Sequence, residues 1–198
     1  MRESIIRNAL ATDLTDVAEI HKNQFSDHYL GQFSIELLRL FYSGFLNRDI
    51  IFLVSEVDGR VCGFVVGGNL KSINRCSSIF IKDNISLYTR EIFLRPHTWV
   101  KSLKKLFNLL FRKNVPAESL DYIMEYTLLS ISVCPSFQGK GIAGQLVTAF
   151  DSNMKEYSDE YFLSVKDTNA RAISFYEKNG FVKERHFSGE VQLIKKIG

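Results

Sequence analysis

Cysteine is scarce in this sequence, and no disulfide-forming or metal-binding spacing is present. The three cysteines, Cys62, Cys76 and Cys134, are an odd number and include no C-x-x-C pair. The four histidines are equally scattered and show no H-x-x-x-H spacing. We therefore expect no disulfide framework, no zinc ribbon and no other metal site. A reducing, cytoplasmic compartment fits such a chain best.

Long apolar runs are also missing. No stretch reaches the ~18 consecutive apolar residues that a membrane-spanning helix needs. The first eight residues, MRESIIRN, place charges around only two isoleucines, which is unlike the apolar run of a secretory leader. We expect a soluble chain with no leader and no integral membrane segment.

Net charge is low, and its sign excludes little by itself. Lysine and arginine number 25 against 22 acidic residues, a net charge of +3, which is too slight to predict a nucleic-acid partner. No G-x-S-x-G signature of a serine hydrolase occurs. With 198 residues, 45% of them hydrophobic, the chain is long enough and apolar enough for one globular domain over residues 1–198.

Periodicity predicts an α/β chain with a mixed sheet. A strand over residues 4–9 is followed by two amphipathic helices, the second led by Ser34 as its cap. Two β-branched runs separated by Asp58-Gly59 predict an antiparallel hairpin. The second half predicts strand, helix, strand, helix and a last pair of strands. These elements cover residues 127–133, 142–150, 161–165, 169–178, 181–187 and 191–197.

Residues 70–124 interrupt this rhythm, and we interpret them as an insertion. A helical run over 99–111 carries apolar residues on one side and is surrounded by six basic residues: Arg95, Lys101, Lys104, Lys105, Arg112 and Lys113. Such a basic amphipathic helix suits an anionic ligand or a membrane surface. The alternative is a helix packed by its apolar stripe with solvated lysines outside.

A glycine-rich segment leads from the strand over 127–133 into the next helix. In G-K-G-I-A, residues 139–143, small residues let backbone N–H groups converge on an anion at the positive end of the helix. The same stretch satisfies G-x-G-x-x-G through Gly139, Gly141 and Gly144, so a Rossmann dinucleotide site is an alternative. A purely structural turn is another. Phosphate binding is the interpretation that we favour.

Two longer motifs in this half of the chain identify a family. Residues 133–143 read V-x-P-x-x-Q-G-K-G-I-A, and residues 169–181 read N-x-x-A-x-x-x-Y-x-x-x-G-F. Together they resemble the acetyl-CoA loop and the following helix of the GCN5-related N-acetyltransferase (GNAT) superfamily. The resemblance covers about residues 127–183. It implies a central, mostly antiparallel twisted sheet with a splayed pair of strands, flanked by helices, with 70–124 as a helical insertion.

The resemblance also implies acetyl-CoA as the acetyl donor and assigns its site. Backbone amides of 138–143 would hold the pyrophosphate, the strand edge at 131–133 would pair with the pantetheine, and an N–H near Ser132 or Val133 would stabilise the oxyanion. The implied cofactor-binding residues are Ile131, Ser132, Val133, Gln138, Gly139, Lys140, Gly141, Ile142, Ala143 and Asn169. A plain helix cap is the simpler interpretation of Asn169.

Two catalytic residues are predicted on the same basis. Tyr176 matches the family tyrosine that protonates the departing thiolate, although a core aromatic residue beside Phe175 is the alternative. Many relatives place a glutamate before the loop as general base, whereas Leu129 and Ser130 precede Ile131 here. Glu125 is the nearest substitute, and a solvated strand-end acid is its simpler interpretation. The alternative bases, which no spacing supports, are His21, His28, His97 and His186. An acyl-cysteine at Cys134, next to the loop, is a further alternative.

The predicted function is acetyl transfer to a primary amine of a small molecule, by direct attack in a ternary complex. A nucleotide-linked amino sugar fits the basic insertion. Three alternatives stay open: acetylation of protein lysines or N-termini, a non-catalytic acyl-CoA-binding module, and a membrane-peripheral module. We expect neither a nucleic-acid partner nor an integral membrane segment, and a homodimer is left open.

Overall fold

Seven strands form one open sheet in the computed structural model, which describes residues 4–26, 29–47, 49–94 and 125–198. Their order is β1-β2-β3-β4-β5-β7-β6, and every neighbouring pair is antiparallel except β4 and β5. The strands are β1 Ile5–Asn8, β2 Ile50–Val57, β3 Arg60–Asn69, β4 Tyr126–Val133, β5 Glu160–Lys166, β6 Val182–Phe187 and β7 Glu190–Lys196. This confirms the predicted mixed, mostly antiparallel sheet and excludes the parallel Rossmann alternative.

Helices cover both faces of the sheet, because each helix has one apolar face to bury. One face carries the helices of the first half, and the other carries those of the second half, each over its own hydrophobic cluster. The helices are α1 Leu14–Gln24, α2 Ile35–Ser43, α3 Leu70–Asp83, α4 Ile85–Phe93, α5 Ile142–Met154 and α6 Ala170–Lys178. Within the described ranges, no helix has both the length and the apolar character to cross a membrane.

The β2–β3 hairpin forms where the sequence predicts it. Asp58 and Gly59 both have positive φ angles, 53° and 75°, as a two-residue turn matched to the twist of the strands requires. Most apolar residues of the two strands are buried, and they divide between the two hydrophobic clusters. Leu53 and Val65, for example, belong to the cluster of the second-half helices. The hairpin therefore lies at the centre of the fold, and it pairs with β4 along its second strand.

The sheet opens between β4 and β5. These parallel strands pair at a single position, Thr127 with Phe162, where the Thr127 hydroxyl also donates to the Phe162 carbonyl oxygen at 3.0 Å. On the other side of β4 the register shifts, because Val66 pairs with Ser130 while Gly67 pairs with Leu128. Leu129 is the extra residue of this bulge, and bulges bend the strand that carries them. The expected splayed pair of strands is confirmed, and a cleft lies between β4 and β5.

The predicted insertion begins with α3 and α4. Helix α3 packs on β3 and α2, and α4 packs on α3. The Tyr88 hydroxyl of α4 is 2.5 Å from that of Tyr29, and the Glu91 carboxylate accepts a hydrogen bond from the Ser34 backbone N–H at the start of α2. Residues 95–124, with the predicted basic helix over 99–111 and the membrane-surface interpretation that depends on it, lie outside the described residues.

A buried carboxylate fixes the start of α1 to the edge of the sheet. Asp13 accepts two hydrogen bonds from the Arg7 guanidinium, at 2.6 and 2.9 Å, and a third from the Leu10 backbone N–H. The guanidinium also bonds to Glu56 on β2 at 2.8 Å. The hydrogen bonds from Arg7 hold the pKa of the Asp13 carboxyl below its usual range. The group thus stabilises the fold in its ionised form.

The depressed pKa of Asp13 predicts a pH-dependent loss of stability in Asp13→Asn. At pH 7 we expect the variant to lose about 2 kcal/mol in the free energy of unfolding, the scale of hydrogen bonds to a charged group. The stabilisation is complete above the unfolded-state pKa of ~3.9 and is lost as pH falls through the lower folded-state value. The difference from wild type should therefore shrink below about pH 4, as measured by urea unfolding. Asp83→Asn, at the exposed end of α3, is the control, and a difference independent of pH would contradict the assignment.

Candidate functional site

Two cavities meet in the cleft between β4 and β5. The first, about 490 Å³, lies against the turn between β4 and α5, and we call it the glycine-loop cavity. The second, about 460 Å³, lies between α1, α2 and the ends of β4, β5 and β7, and we call it the aromatic cavity. The residues common to both linings are Phe25, Ile131, Asn169, Ala172 and Tyr176. Two molecules seated in these cavities would touch at this junction.

The glycine loop has the backbone geometry of an anion site. A single 3-10 turn, Pro135–Phe137, follows β4, and Gly139 and Gly141 then take φ angles of 77° and 82°, a region that residues with a Cβ rarely adopt. Helix α5 begins directly afterwards at Ile142. The N–H groups of its first turn have no partners within the helix, and they lie at the positive end of its dipole. This arrangement suits a phosphate group.

Most of the predicted cofactor residues line the glycine-loop cavity. Lys140 is not part of the lining, and its ammonium group lies 4.6 Å from the centre of the Phe137 ring. The predicted residues that do line the cavity are Ile131, Ser132, Val133, Gln138, Gly139, Gly141, Ile142, Ala143 and Asn169. The strand edge, the loop and the start of α6 are thus brought together on one cavity.

Gln138 uses its polar groups within the protein. Its side-chain amide donates to the Gln24 side chain at 2.9 Å and to the Val133 carbonyl at 3.2 Å, and its backbone N–H donates to the Pro135 carbonyl. Its side-chain oxygen accepts a hydrogen bond from Arg171 at 2.9 Å. Gln138 therefore ties α1, β4 and α6 together at the loop instead of presenting these donors to a ligand.

Arg171 and Gln24 also line the glycine-loop cavity, and the sequence interpretation missed both. Arg171 occupies a variable position inside the N-x-x-A motif. Its positive charge, so close in sequence to a predicted phosphate-binding loop, could have indicated that it lines the site. Gln24 is brought to the loop by α1 from 114 residues away, and no local pattern indicates such a contact.

Tyr176 and Asn169 both lie at the junction of the two cavities. The Asn169 side-chain oxygen accepts a hydrogen bond from the Ala172 backbone N–H, so it caps α6 and lines the site at once. The Tyr176 ring packs against Phe175 and Phe181, with ring centres 5.3 Å apart in each case. Burial raises the pKa of Tyr176 to about 12, so the hydroxyl stays protonated near neutral pH. It can therefore donate a proton.

The predicted general base is not at either cavity. Glu125 precedes β4 and is exposed, and its carboxylate lies 4.0 Å from the Lys71 ammonium group. Neither lining includes it. The thiol of Cys134 also lies outside both linings, and burial raises its pKa, which leaves little of the nucleophilic thiolate at neutral pH. No group of three or more histidine, cysteine or acidic residues in the described chain is placed to hold a metal ion.

The lining of the aromatic cavity includes a histidine. His21 of α1 is buried, and its Nδ1 lies 2.6 Å from the hydroxyl of Tyr42 on α2. Ser130, at the β4 bulge, lines the same cavity. The sequence interpretation treated the histidines as lacking any supporting spacing. Residues 21, 42 and 130 meet only through the tertiary fold, so no local pattern could have joined them.

Comparisons with known proteins agree with this geometry. The family model described as an acetyltransferase (GNAT) domain matches residues 113–183. An N-alpha-acetyltransferase from Sulfurisphaera tokodaii is 25% identical over 182 residues, which are 91% of this chain and 81% of the relative. A second N-alpha-acetyltransferase, from Saccharolobus solfataricus, is 24% identical over 95% of this chain and 86% of its own length.

The fold is also found among solved structures. The PaiA N-acetyltransferase from Thermoplasma acidophilum, solved in complex with coenzyme A, matches with a TM-score of 0.59 and 20% identity over 98% of this chain and 99% of its own. The family model covers the glycine loop, Asn169 and Tyr176, and the fold extends the likeness to the first half of the chain. Residues 113–183 thus match a GNAT acetyltransferase domain, and the chain as a whole has the fold of solved N-acetyltransferases.

Proposed function

We propose that this chain transfers an acetyl group from acetyl-CoA in the glycine-loop cavity to a primary amine in the aromatic cavity. The observation that carries the proposal is the junction at Ile131, Asn169 and Tyr176, where the two cavities meet inside the split sheet. Reactants held in contact there would react as one complex, which removes most of the entropic cost of an encounter.

The glycine loop and the open edge of β4 would hold the coenzyme. The pyrophosphate would accept hydrogen bonds from backbone N–H groups of residues 139–143, and Arg171 would add positive charge beside it. The pantetheine would run along residues 131–133, whose side toward β5 makes no strand pairs past Thr127. A backbone N–H near Ser132 or Val133 would stabilise the oxyanion of the attacked thioester.

Tyr176 is the proposed proton donor to the leaving group. As the amine nitrogen attacks the thioester carbon, the carbon–sulfur bond breaks and leaves a thiolate with a free pKa of ~8.5. Tyr176 lies at the junction, and its raised pKa keeps it protonated. It would pass its proton to the sulfur and regain one from the new amide nitrogen. Glu125 stays a prediction as general base, although its position away from both cavities does not favour it.

The acceptor that the site favours is the α-amine of a peptide with an apolar first residue. The lining of the aromatic cavity includes Phe25, Tyr29 and Phe41, and the charged side chains in it are Lys166 and Glu190. A cavity of this kind accommodates an apolar side chain. The two relatives named N-alpha-acetyltransferases support the same class of acceptor.

A small-molecule amine is the second candidate, because a volume of about 460 Å³ lies in the range of small-ligand sites. The nucleotide-linked amino sugar rests on the basic run at 95–113, outside the described residues. A single lysine, Lys166, in the described lining gives such an acidic ligand little support. The cytoplasmic location, the single domain with an insertion at 70–124 and the homodimer stay predictions.

An acceptor panel tests the choice between these candidates. Thiol release from acetyl-CoA would be followed with short peptides of different first residues and with anionic amino sugars at equal concentration. We expect peptides that begin with apolar residues to have the highest kcat/KM. Turnover of the amino sugars alone would overturn the peptide assignment in favour of the second candidate.

Tyr176→Phe tests the proton donor. We expect kcat to fall by about 10²-fold, since a positioned general acid contributes on this scale, while the Kd for acetyl-CoA stays nearly unchanged. Steady-state kinetics and calorimetric titration measure the two quantities. Tyr157→Phe removes a hydroxyl from an exposed tyrosine that lines neither cavity, and it should behave as wild type. An unchanged kcat in Tyr176→Phe would exclude the role.

Gly141→Asp tests the phosphate loop. A carboxylate at this position would face the bound pyrophosphate, so we expect acetyl-CoA binding to be lost. Gly59→Asp is a matched control, because Gly59 has a similar φ of 75° and, as at Gly141, a Cβ there would meet no atom within 4 Å. Both variants bring the same backbone strain and the same charge. Calorimetric titration that shows wild-type affinity in Gly141→Asp would contradict the loop assignment.

A further inference from the structure

A chain of buried hydrogen bonds leads away from the acceptor side of the junction. Ser130 lines the aromatic cavity next to Ile131, a junction residue. Its side chain bonds to the phenol of Tyr42, and the phenol lies 2.6 Å from Nδ1 of His21. All three side chains line the cavity, and Tyr42 and His21 are almost fully buried. None of the three has a role in the function proposed above.

The tautomer of His21 sets the direction of these hydrogen bonds. Burial raises the pKa of Tyr42, so the phenol keeps its hydrogen. A neutral imidazole that accepts at Nδ1 carries its own hydrogen on Nε2. In that tautomer the Tyr42 hydroxyl donates to Nδ1 and is free to accept from the Ser130 hydroxyl, which gives the order Ser130 to Tyr42 to His21.

We propose that Ser130, Tyr42 and His21 form a proton relay that deprotonates the acceptor ammonium at the junction. The proposal rests on the acetyl-transfer function above and places a general base at the junction, whereas Glu125 lines neither cavity. Ser130 is the member that meets the substrate. Tyr42 and His21 are positioning residues that act through it.

The relay balances as a proton transfer. The ammonium gives a proton to the Ser130 oxygen, the Ser130 hydrogen moves to the Tyr42 oxygen, and the Tyr42 hydrogen moves to Nδ1 of His21. The amine keeps its electron pair and attacks the thioester carbon. His21 becomes an imidazolium. After the products leave, its proton returns through Tyr42 and Ser130 to water in the open cavity, and this is the one proton set free when an ammonium and a thioester become an amide and a thiol.

The chemistry of each member suits its place. A serine hydroxyl both accepts and donates, so it passes a proton on without keeping a charge. Burial raises the pKa of Tyr42, so the phenol stays neutral and gives up one hydrogen as it receives another. The imidazole of His21 has a lone pair at Nδ1 that can take up the transferred proton.

Other ionisable groups near His21 do not replace it in this position. The remaining ones in the cavity lining are Tyr29, Lys166, Tyr176 and Glu190. On α1 itself, Asp16 and Glu19 are exposed, and the Lys22 ammonium donates to the Phe33 carbonyl. Strands β3 and β4, which pack on α1 as well, contain no carboxylate or histidine. Of the acidic groups in the described lining, Glu190 is the one that a pH profile must also consider.

The test is the pH dependence of kcat/KM in Ser130→Ala, Tyr42→Phe and His21→Gln with a peptide acceptor. At pH 6.5 we expect each variant to lose about 10²-fold, the usual contribution of a general base. Above the α-amine pKa of ~8 the acceptor arrives as the free amine, so the deficit should shrink to about threefold at pH 9.5. His186→Gln should keep the wild-type profile, because this exposed histidine, 3.0 Å from Asp167, lines neither cavity.

The way in which the loss of kcat/KM varies with pH distinguishes a proton relay from a role in packing. A constant loss across the pH range, or no loss, would overturn the relay and leave the proposed function in place. Ser130→Ala removes one half-buried hydroxyl, and it keeps the test decisive if the variants of the buried residues fail to fold. If the wild-type chain transfers acetyl to no amine at any pH, the proposed function fails, and the relay fails with it.

Discussion

The single pairing of Thr127 with Phe162 is the contact on which the site depends. It joins the two halves of the sheet, and immediately past it β4 and β5 separate. Strands that remained paired would satisfy their backbone groups with each other and leave no cleft. Because they part, backbone N–H and C=O groups of residues 129–133 on the β5 side stay available to a ligand, and both cavities open into the same gap. The hydroxyl of Thr127 adds a side-chain bond at the last point of contact.

Local chemistry made much of the fold predictable. Asp58-Gly59 can take positive φ angles that few dipeptides tolerate, so these two residues predict the position of the hairpin turn. Ser34 caps α2 through its hydroxyl, as its position before an apolar periodic run indicates. The glycine loop was also predictable, because Gly139 and Gly141 take left-handed φ angles that few other residues adopt.

The acceptor side was not predictable in this way. His21, Tyr42 and Ser130 are separated by tens of residues and share no period, and they become neighbours only when α1, α2 and the β4 bulge pack together. Glu125 shows a different limit of reasoning from the sequence. Its place near the start of β4 suggested a catalytic acid, yet the bulge at Leu129 and the bend of the strand set which residues face the cleft. Chain proximity to a motif is a weaker guide than the side of the strand on which a residue lies.

The contacts of α4 give the insertion a role that does not require it to touch a ligand. Tyr88 meets Tyr29 in the wall of the aromatic cavity, and Glu91 secures the first turn of α2 from behind. A segment that supports a wall from outside can alter the shape of the chamber through its own packing alone. Substitutions in α4 can therefore change which acceptor fits the cavity, even when every chemical group around the reacting atoms stays the same.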